Sequence, residues 1–201
     1  QRRDGKGNYP HSTVDHHSFG GRSPSVTNAY VTYALLQAGT PEAELEVEID
    51  ALVKRVIIDD PYELALIACA LNLTERREAE LARQRLTNMQ VRDGSLPGAK
   101  ATITMSGERD RLVEATGFAL LAWLPDASYA GNVRRAIEYL QTARNGRGTF
   151  GATQAMLPPG RLTASWLWSG WLAASAVARA AHTRAGMASA RWQKRGKDKK
   201  R

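Results

Sequence analysis

The sequence predicts an all-α protein built as an α/α toroid, a ring of helical hairpins, and three observations carry that expectation. Mostly apolar helical stretches alternate with amphipathic ones along the chain. The triplets Tyr33-Ala34-Leu35, Cys69-Ala70-Leu71 and Phe118-Ala119-Leu120 hold matching places in three of the apolar stretches. Residues 112–155 show the repeating unit most fully. An apolar helix ends at Pro125-Asp126, an amphipathic helix follows from Asn132, and a Gly-rich turn opens a further helix at Ala152. Strict alternation puts one helix of each pair inside and one outside. The copies are spaced 36 residues apart (33 to 69) and then 49 (69 to 118), and that irregularity favours a ring over an open array.

Taken in order, residues 1–24 are polar and rich in Gly, Pro and His, which reads as loop. Ser25 or Thr27 can cap a first helix that Gly39 closes, with Val26, Tyr30, Tyr33, Ala34 and Ala38 as its apolar face. Thr40-Pro41 starts an acidic amphipathic helix whose Lys54-Arg55 end suits the helix dipole. Asp59-Asp60-Pro61 is a turn and cap with proline at the first helical position. The helix it starts, YELALIACALNL, is apolar almost all round and should be buried on every side. Thr74 opens a strongly charged helix that ends before Asp93-Gly94. Residues 91–111 form a long loop, with a short β-hairpin expected around ATITM (101–105), and the inner helix follows from Leu112.

At 201 residues and 43% hydrophobic content, the chain can bury one domain-sized core. The net charge of +8 is misleading as a nucleic-acid signal. Residues 184–201 hold eight basic side chains against Asp198 alone, which leaves the remainder close to neutral. No nucleic-acid partner is expected. Cys69 is the only cysteine, so no intrachain disulfide is possible, and its apolar setting reads as a small buried hydrophobe. No apolar run reaches the length of a membrane span. The start Gln1-Arg2-Arg3-Asp4 shows no signal pattern and reads as the middle of a longer protein.

The pattern breaks after Ala155. Pro158-Pro159 would end the third inner helix, and three tryptophans then fall within residues 166–171 ahead of an Ala-rich stretch. The chain therefore divides into a partial toroid over 1–155, a divergent Trp/Ala-rich extension over 156–183 and a basic tail over 184–201. The extension is read as an out-of-frame or alternative sequence.

Five stretches in order carry a family resemblance: Asp4-Gly-Lys-Gly-Asn8, Thr27-Asn-Ala-Tyr-Val-Thr-Tyr-Ala-Leu35, Asp60-Pro-Tyr-Glu-Leu-Ala-Leu66, Leu112-Val-Glu-Ala-Thr116 and Gly148-Thr-Phe-Gly-Ala-Thr-Gln-Ala155. With the loop DGSLPGAKATITMSG between them, they resemble the thioester domain of the alpha-macroglobulin and complement superfamily in its bacterial form. The resemblance covers about three quarters of the chain. It implies an α/α toroid, an endopeptidase-inhibitor or defence role, and an extracellular, periplasmic or surface-anchored location. The implied partners are proteases or target surfaces together with the other domains of a parent protein, and no cofactor is implied. In the family, a Cys and a Gln in a Gly-Cys-Gly-Glu-Gln motif form an internal thioester that acylates an attacking protease. This chain lacks that motif: Cys69 is followed by Ala-Leu-Asn-Leu, and no Cys-x-x-Gln occurs. The chain itself is therefore not expected to be an enzyme or to form the thioester.

The resemblance makes His11 the candidate helper of acyl transfer, since a histidine in a comparable loop assists transacylation in complement members. The bare chemistry is that of a general base near neutral pH, and the competing expectation is an exposed loop histidine. His11, Asp15, His16 and His17 offer metal-ligand types, but they lie on no helix and lack a second cluster, so no metal site is expected. Glu114 could be a catalytic carboxylate in an apolar helix, but bonding to a neighbouring loop is the stronger expectation. Gln154 reads as a packing or turn-bonding residue. Gln90-x-x-Asp93-Gly94 resembles the repeat motif of terpene cyclases, toroids that protonate a polyprene with an acidic Asp cluster. The nearest such cluster, Asp59-Asp60-Pro61, reads as a helix cap. A non-catalytic scaffold that binds another protein is a further alternative.

Overall fold

A computed structural model describes residues 3–9, 23–74, 76–104 and 107–143, and these are all-α. Six α-helices run in order: α1 (Pro24–Gln37), α2 (Glu46–Val53), α3 (Pro61–Leu73), α4 (Glu78–Met89), α5 (Glu108–Trp123) and α6 (Ala130–Ala143). Single 3₁₀ turns precede α2 (Glu42–Glu44) and α6 (Ala127–Tyr129). The odd-numbered helices pack side by side, α1 on α3 and α3 on α5. Each even-numbered helix packs on its odd-numbered neighbours, α2 on α1 and α3, α4 on α3 and α5, and α6 on α5. The alternation read from the sequence is thus a layering in space.

Helix α3 is the centre of this arrangement, and every residue from Pro61 to Leu71 is buried. Its uniform apolarity leaves no face fit for water, so the chain encloses it on all sides. The three positions matched by sequence also meet here. The Cys69 thiol donates to the Phe118 carbonyl at 3.4 Å, and the Tyr33 and Phe118 rings stand edge to face at 6.2 Å. Phe118 makes a second edge-to-face contact with Tyr62 at 5.5 Å. At the start of α3, Asp60 accepts the amides of Tyr62 and Glu63 on Oδ1, both at 3.0 Å, with Pro61 at the first helical position as expected. Its Oδ2 accepts the Lys100 amide at 2.8 Å and ties the loop before α5 to the same cap.

Several boundaries differ from expectation. Helix α1 begins at Pro24 after Ser23, not at Ser25 or Thr27, because proline pre-sets the first helical φ. Gly39, with φ +87°, ends it as expected. The buried residues of α1 are Val26, Asn28, Ala29 and Thr32, while Tyr30, Tyr33 and Ala34 are half-buried and Ala38 is exposed. The acidic segment is not one helix from Pro41. Leu45, fully buried, sits at φ −119° between the 3₁₀ turn and α2. Thr74 closes α3 and does not open α4, since its hydroxyl donates to the Leu71 carbonyl at 3.1 Å. Helix α5 starts one turn earlier than Leu112, at Glu108, with Glu108 and Asp110 in its first turn.

No strand occurs at 101–104. The Ile103 amide, which a hairpin ladder would use, goes to the Tyr62 hydroxyl at 3.3 Å, and the Thr102 and Thr104 hydroxyls bond each other at 3.0 Å. The expectations for Ala152, 156–183 and 184–201 lie outside the described residues.

Asp60→Ala removes the acceptor of three backbone amides at a site only 6% exposed. It should destabilise the fold by about 2–3 kcal/mol, read as a lower urea midpoint, with Asp60→Asn losing less.

Candidate functional site

The turn between α4 and α6 shows how the Gln-x-x-Asp-Gly motif works. Gln90 ends α4 and spends its whole amide on other elements. Its Nε2 donates to the Gly94 and Asn132 carbonyls, both at 3.1 Å. Its Oε1 accepts from Asn132 Nδ2 at 2.8 Å and from an Arg135 guanidinium nitrogen at 2.7 Å. Asp93 Oδ1 accepts the Ser95 amide at 2.9 Å and the Ser95 hydroxyl at 2.7 Å. Those two Ser95 bonds hold the Asp93 carboxyl below its ordinary range. Gly94 has φ +93°, and a Cβ there would meet the Arg135 carbonyl oxygen at 2.1 Å. Only glycine lets the turn lie against the α6 backbone.

A second turn of the same kind lies in segment 3–9. Asp4 Oδ1 accepts the amides of Lys6 and Asn8 at 2.7 and 2.9 Å, and its Oδ2 accepts Asn8 Nδ2 at 2.9 Å. Gly7, at φ +86°, lies so close to α2 that a Cβ would approach Ala51 Cβ and the Val47 carbonyl at 2.8 Å. Past each turn, an inner helix accepts a loop amide: Asn28 from Tyr9 at 2.9 Å and Thr116 from Leu96 at 3.1 Å. Sequence carries a signal for this pairing, because Gln1-x-x-Asp4-Gly5 and Gln90-x-x-Asp93-Gly94 repeat one pattern. Both turns lock a loop onto an outer helix.

Cys69 is buried at 4% exposure, and burial pushes its thiol up to about 12. A thiolate is the nucleophile in thioester and disulfide chemistry, so this side chain is inert in the folded chain. The small-hydrophobe reading agrees with this. Glu114 is half-buried and accepts the Thr104 hydroxyl, as expected of a residue that bonds a neighbouring loop, and Tyr62 lies beside it. Burial and the Glu114 charge raise the Tyr62 phenol above its ordinary range, so it stays protonated. Asp60 is occupied by its cap. Glu63, 3% exposed, accepts Ser25 Oγ at 2.8 Å and the Arg55 guanidinium at 2.6 and 2.7 Å. Sequence reading missed Glu63, whose signal was an acidic residue inside an otherwise apolar helix.

One open cleft of about 450 Å³ lies between the α3–α4 turn and the α5–α6 turn, lined by Asn72, Arg76, Arg77, Glu80, Arg83 and Asp126 among others. Its cations are already paired, Arg76 with Glu42 and Asp50, Arg77 with Glu78, and Arg83 with Glu80 and Asp126. Among the described residues no group of three His, Cys, Asp or Glu is placed to hold a metal ion. Among them, too, no helix is long and apolar enough to cross a membrane. His11, Asp15, His16, His17 and Gln154 lie outside the described residues. Comparisons of the chain with protein-family models, with curated proteins and with solved structures find no match.

Gly94→Ala should lower stability by about 3 kcal/mol, since strain at positive φ adds to a backbone clash. Gly39→Ala has similar φ but open space around its Cβ and should cost about 1 kcal/mol. Equilibrium unfolding of the two variants separates clash from strain. Cys69 should react with a disulfide reagent at pH 8 more than tenfold more slowly in the native chain than in guanidinium, measured by thiol titration.

Proposed function

We propose that the chain forms part of the thioester-type toroid of an alpha-macroglobulin-like protein, where it builds wall and does not carry the reactive bond. The observation that supports this reading best is the place of the resembling stretches in the fold. Asp4–Asn8 forms a turn locked on an outer helix, Thr27–Leu35 and Leu112–Thr116 lie on inner helices, and Asp60–Leu66 caps and starts the central helix. Three of the four described stretches thus fall on α1, α3 and α5, the helices that pack side by side, as the inner ring of a toroid would.

On this reading the parent traps proteases or marks surfaces by acyl transfer to an attacking nucleophile, and the thioester comes from residues outside this chain. The side chains here that could do chemistry are spent on structure: Cys69 is buried, while Asp60 and Glu63 hold backbone or cationic donors. His11 keeps its proposed role as a helper toward hydroxyl acceptors. The test is the coding sequence upstream of Gln1. A Gly-Cys-Gly-Glu-Gln motif in the same frame supports the reading, and an upstream frame without any thioester-domain sequence overturns it. In parallel, the chain alone should incorporate no labelled methylamine, because it has no thioester to activate an acyl group toward the amine. Covalent label retained after denaturation would show a thioester in this chain and refute its wall role.

A further inference from the structure

Helix α2 carries an outward stripe whose side chains, among the described residues, make one long ion pair with the rest of the fold, Asp50 to Arg76. Leu45, Glu48, Ile49, Leu52 and Val56 are buried against the core, and Val47, Asp50, Lys54 and Ile57 face outward. Spacings of three, four and three residues keep those four on one side of the helix and of the tight turns that prolong it past Val53. Val47 and Ile57 are 52% and 70% exposed, the two most exposed large hydrophobic side chains among the described residues. Asp50 has 55% of its side chain exposed and makes one long contact, 3.9 Å, with Arg76. Lys54 has no ion-pair partner among the described residues. Segment 3–9 packs on the neighbouring flank of α2, where Gly7 meets Ala51 and the Val47 carbonyl, and leaves the stripe open.

Reversed, the stripe becomes its own complement: apolar, acidic, basic, apolar at 47, 50, 54 and 57 meets apolar, basic, acidic, apolar at 57, 54, 50 and 47. We propose that it binds a second copy of this chain, with the two α2 helices antiparallel about a two-fold axis near residue 52. Val47 then meets the partner's Ile57, Asp50 meets the partner's Lys54, and each contact occurs twice. A shallow groove lined by Lys54, Arg55, Ile57 and Ile58 lies where the partner's Val47 arrives. The oppositely charged pairs fix register and exclude the parallel arrangement, which would set like charges together. A stripe about 15 Å long is smaller than the roughly 1,200 Å² interface of stable complexes, so the dimer is weak and salt-sensitive.

Sedimentation velocity on the full chain, from micromolar to millimolar concentration, tests this. The wild-type chain should dimerise reversibly, and Asp50→Lys or Lys54→Asp alone should each weaken association about tenfold or more, because two attractive pairs become repulsive. An equimolar mixture of the two variants should recover association as a heterodimer, and the double variant Asp50→Lys/Lys54→Asp should recover the homodimer. Far-UV circular dichroism and the urea midpoint check that the variants, altered only at exposed positions, remain folded. A wild-type chain monomeric throughout the range, reversals that leave association unchanged, or a mixture that fails to recover would each overturn the proposal.

Discussion

A helix buried over eleven consecutive residues, Pro61 to Leu71, must find protein partners for the polar groups it buries. Helix α3 imposes that demand, and the answers come from elements far apart in sequence. Asp60 caps the first amides and binds the loop at Lys100. Glu63, one turn further on, draws Ser25 from α1 and Arg55 from beyond α2. At the other end, Asn72 donates to the Ala122 carbonyl of α5 at 2.8 Å and accepts from Arg83 of α4. Closing one helix therefore fixes the positions of three others, the segment after α2 and a loop. A buried carboxylate is tolerated only with such partners, and removing one leaves an uncompensated group in the interior.

The outer helices are placed by a different device. Each of the two turns brings backbone against backbone, Gly94 on Arg135 and Gly7, three residues past Asp4, on Val47, at distances that no side chain would permit. Such contacts set where a loop crosses a helix more sharply than side-chain packing can, because neither partner can rotate away. Gln90 then adds four hydrogen bonds between the end of α4, the turn and α6. Helix α3 is held by burial and satisfied polar ends, while α2 and α6 are met by loops that fit only as glycine.

What sequence alone made legible follows from these two kinds of force. Helix α3, its Asp60-Pro61 start and the register of Tyr33, Cys69 and Phe118 were readable because apolar periodicity and capping are local signals. The first turn of α5 was not, because Glu108–Arg111 carry no apolar period to announce it. The face of α1 was misjudged for a related reason. That helix is flanked by α2 and α3, so it buries Asn28 and Thr32, which a search for one apolar stripe passes over. A hairpin was expected around 101–105, but the Tyr62 hydroxyl, 41 residues away, takes the Ile103 amide that a ladder would need. Glu63 and Gln90 likewise depend on partners whose proximity only the fold creates.

The division of labour between the two layers bears on chemistry. A nucleophile needs an accessible, deprotonated atom, and the lone thiol sits where burial opposes both conditions. An acid that protonates a hydrocarbon must be free to deliver its proton, and Asp60 instead holds three backbone amides. Cys69 and Asp60, which a sequence scan would nominate for reaction, are thus bound into the fold. By contrast, Val47, Asp50, Lys54 and Ile57 lie on the exposed side of α2 and the turns after it, and each has a partner of matching chemistry in the same stripe reversed. Among the described residues, Val47, Lys54 and Ile57 serve no ion pair or core contact within the fold, and Asp50 makes a single long one, so their arrangement is free to serve contacts outside it.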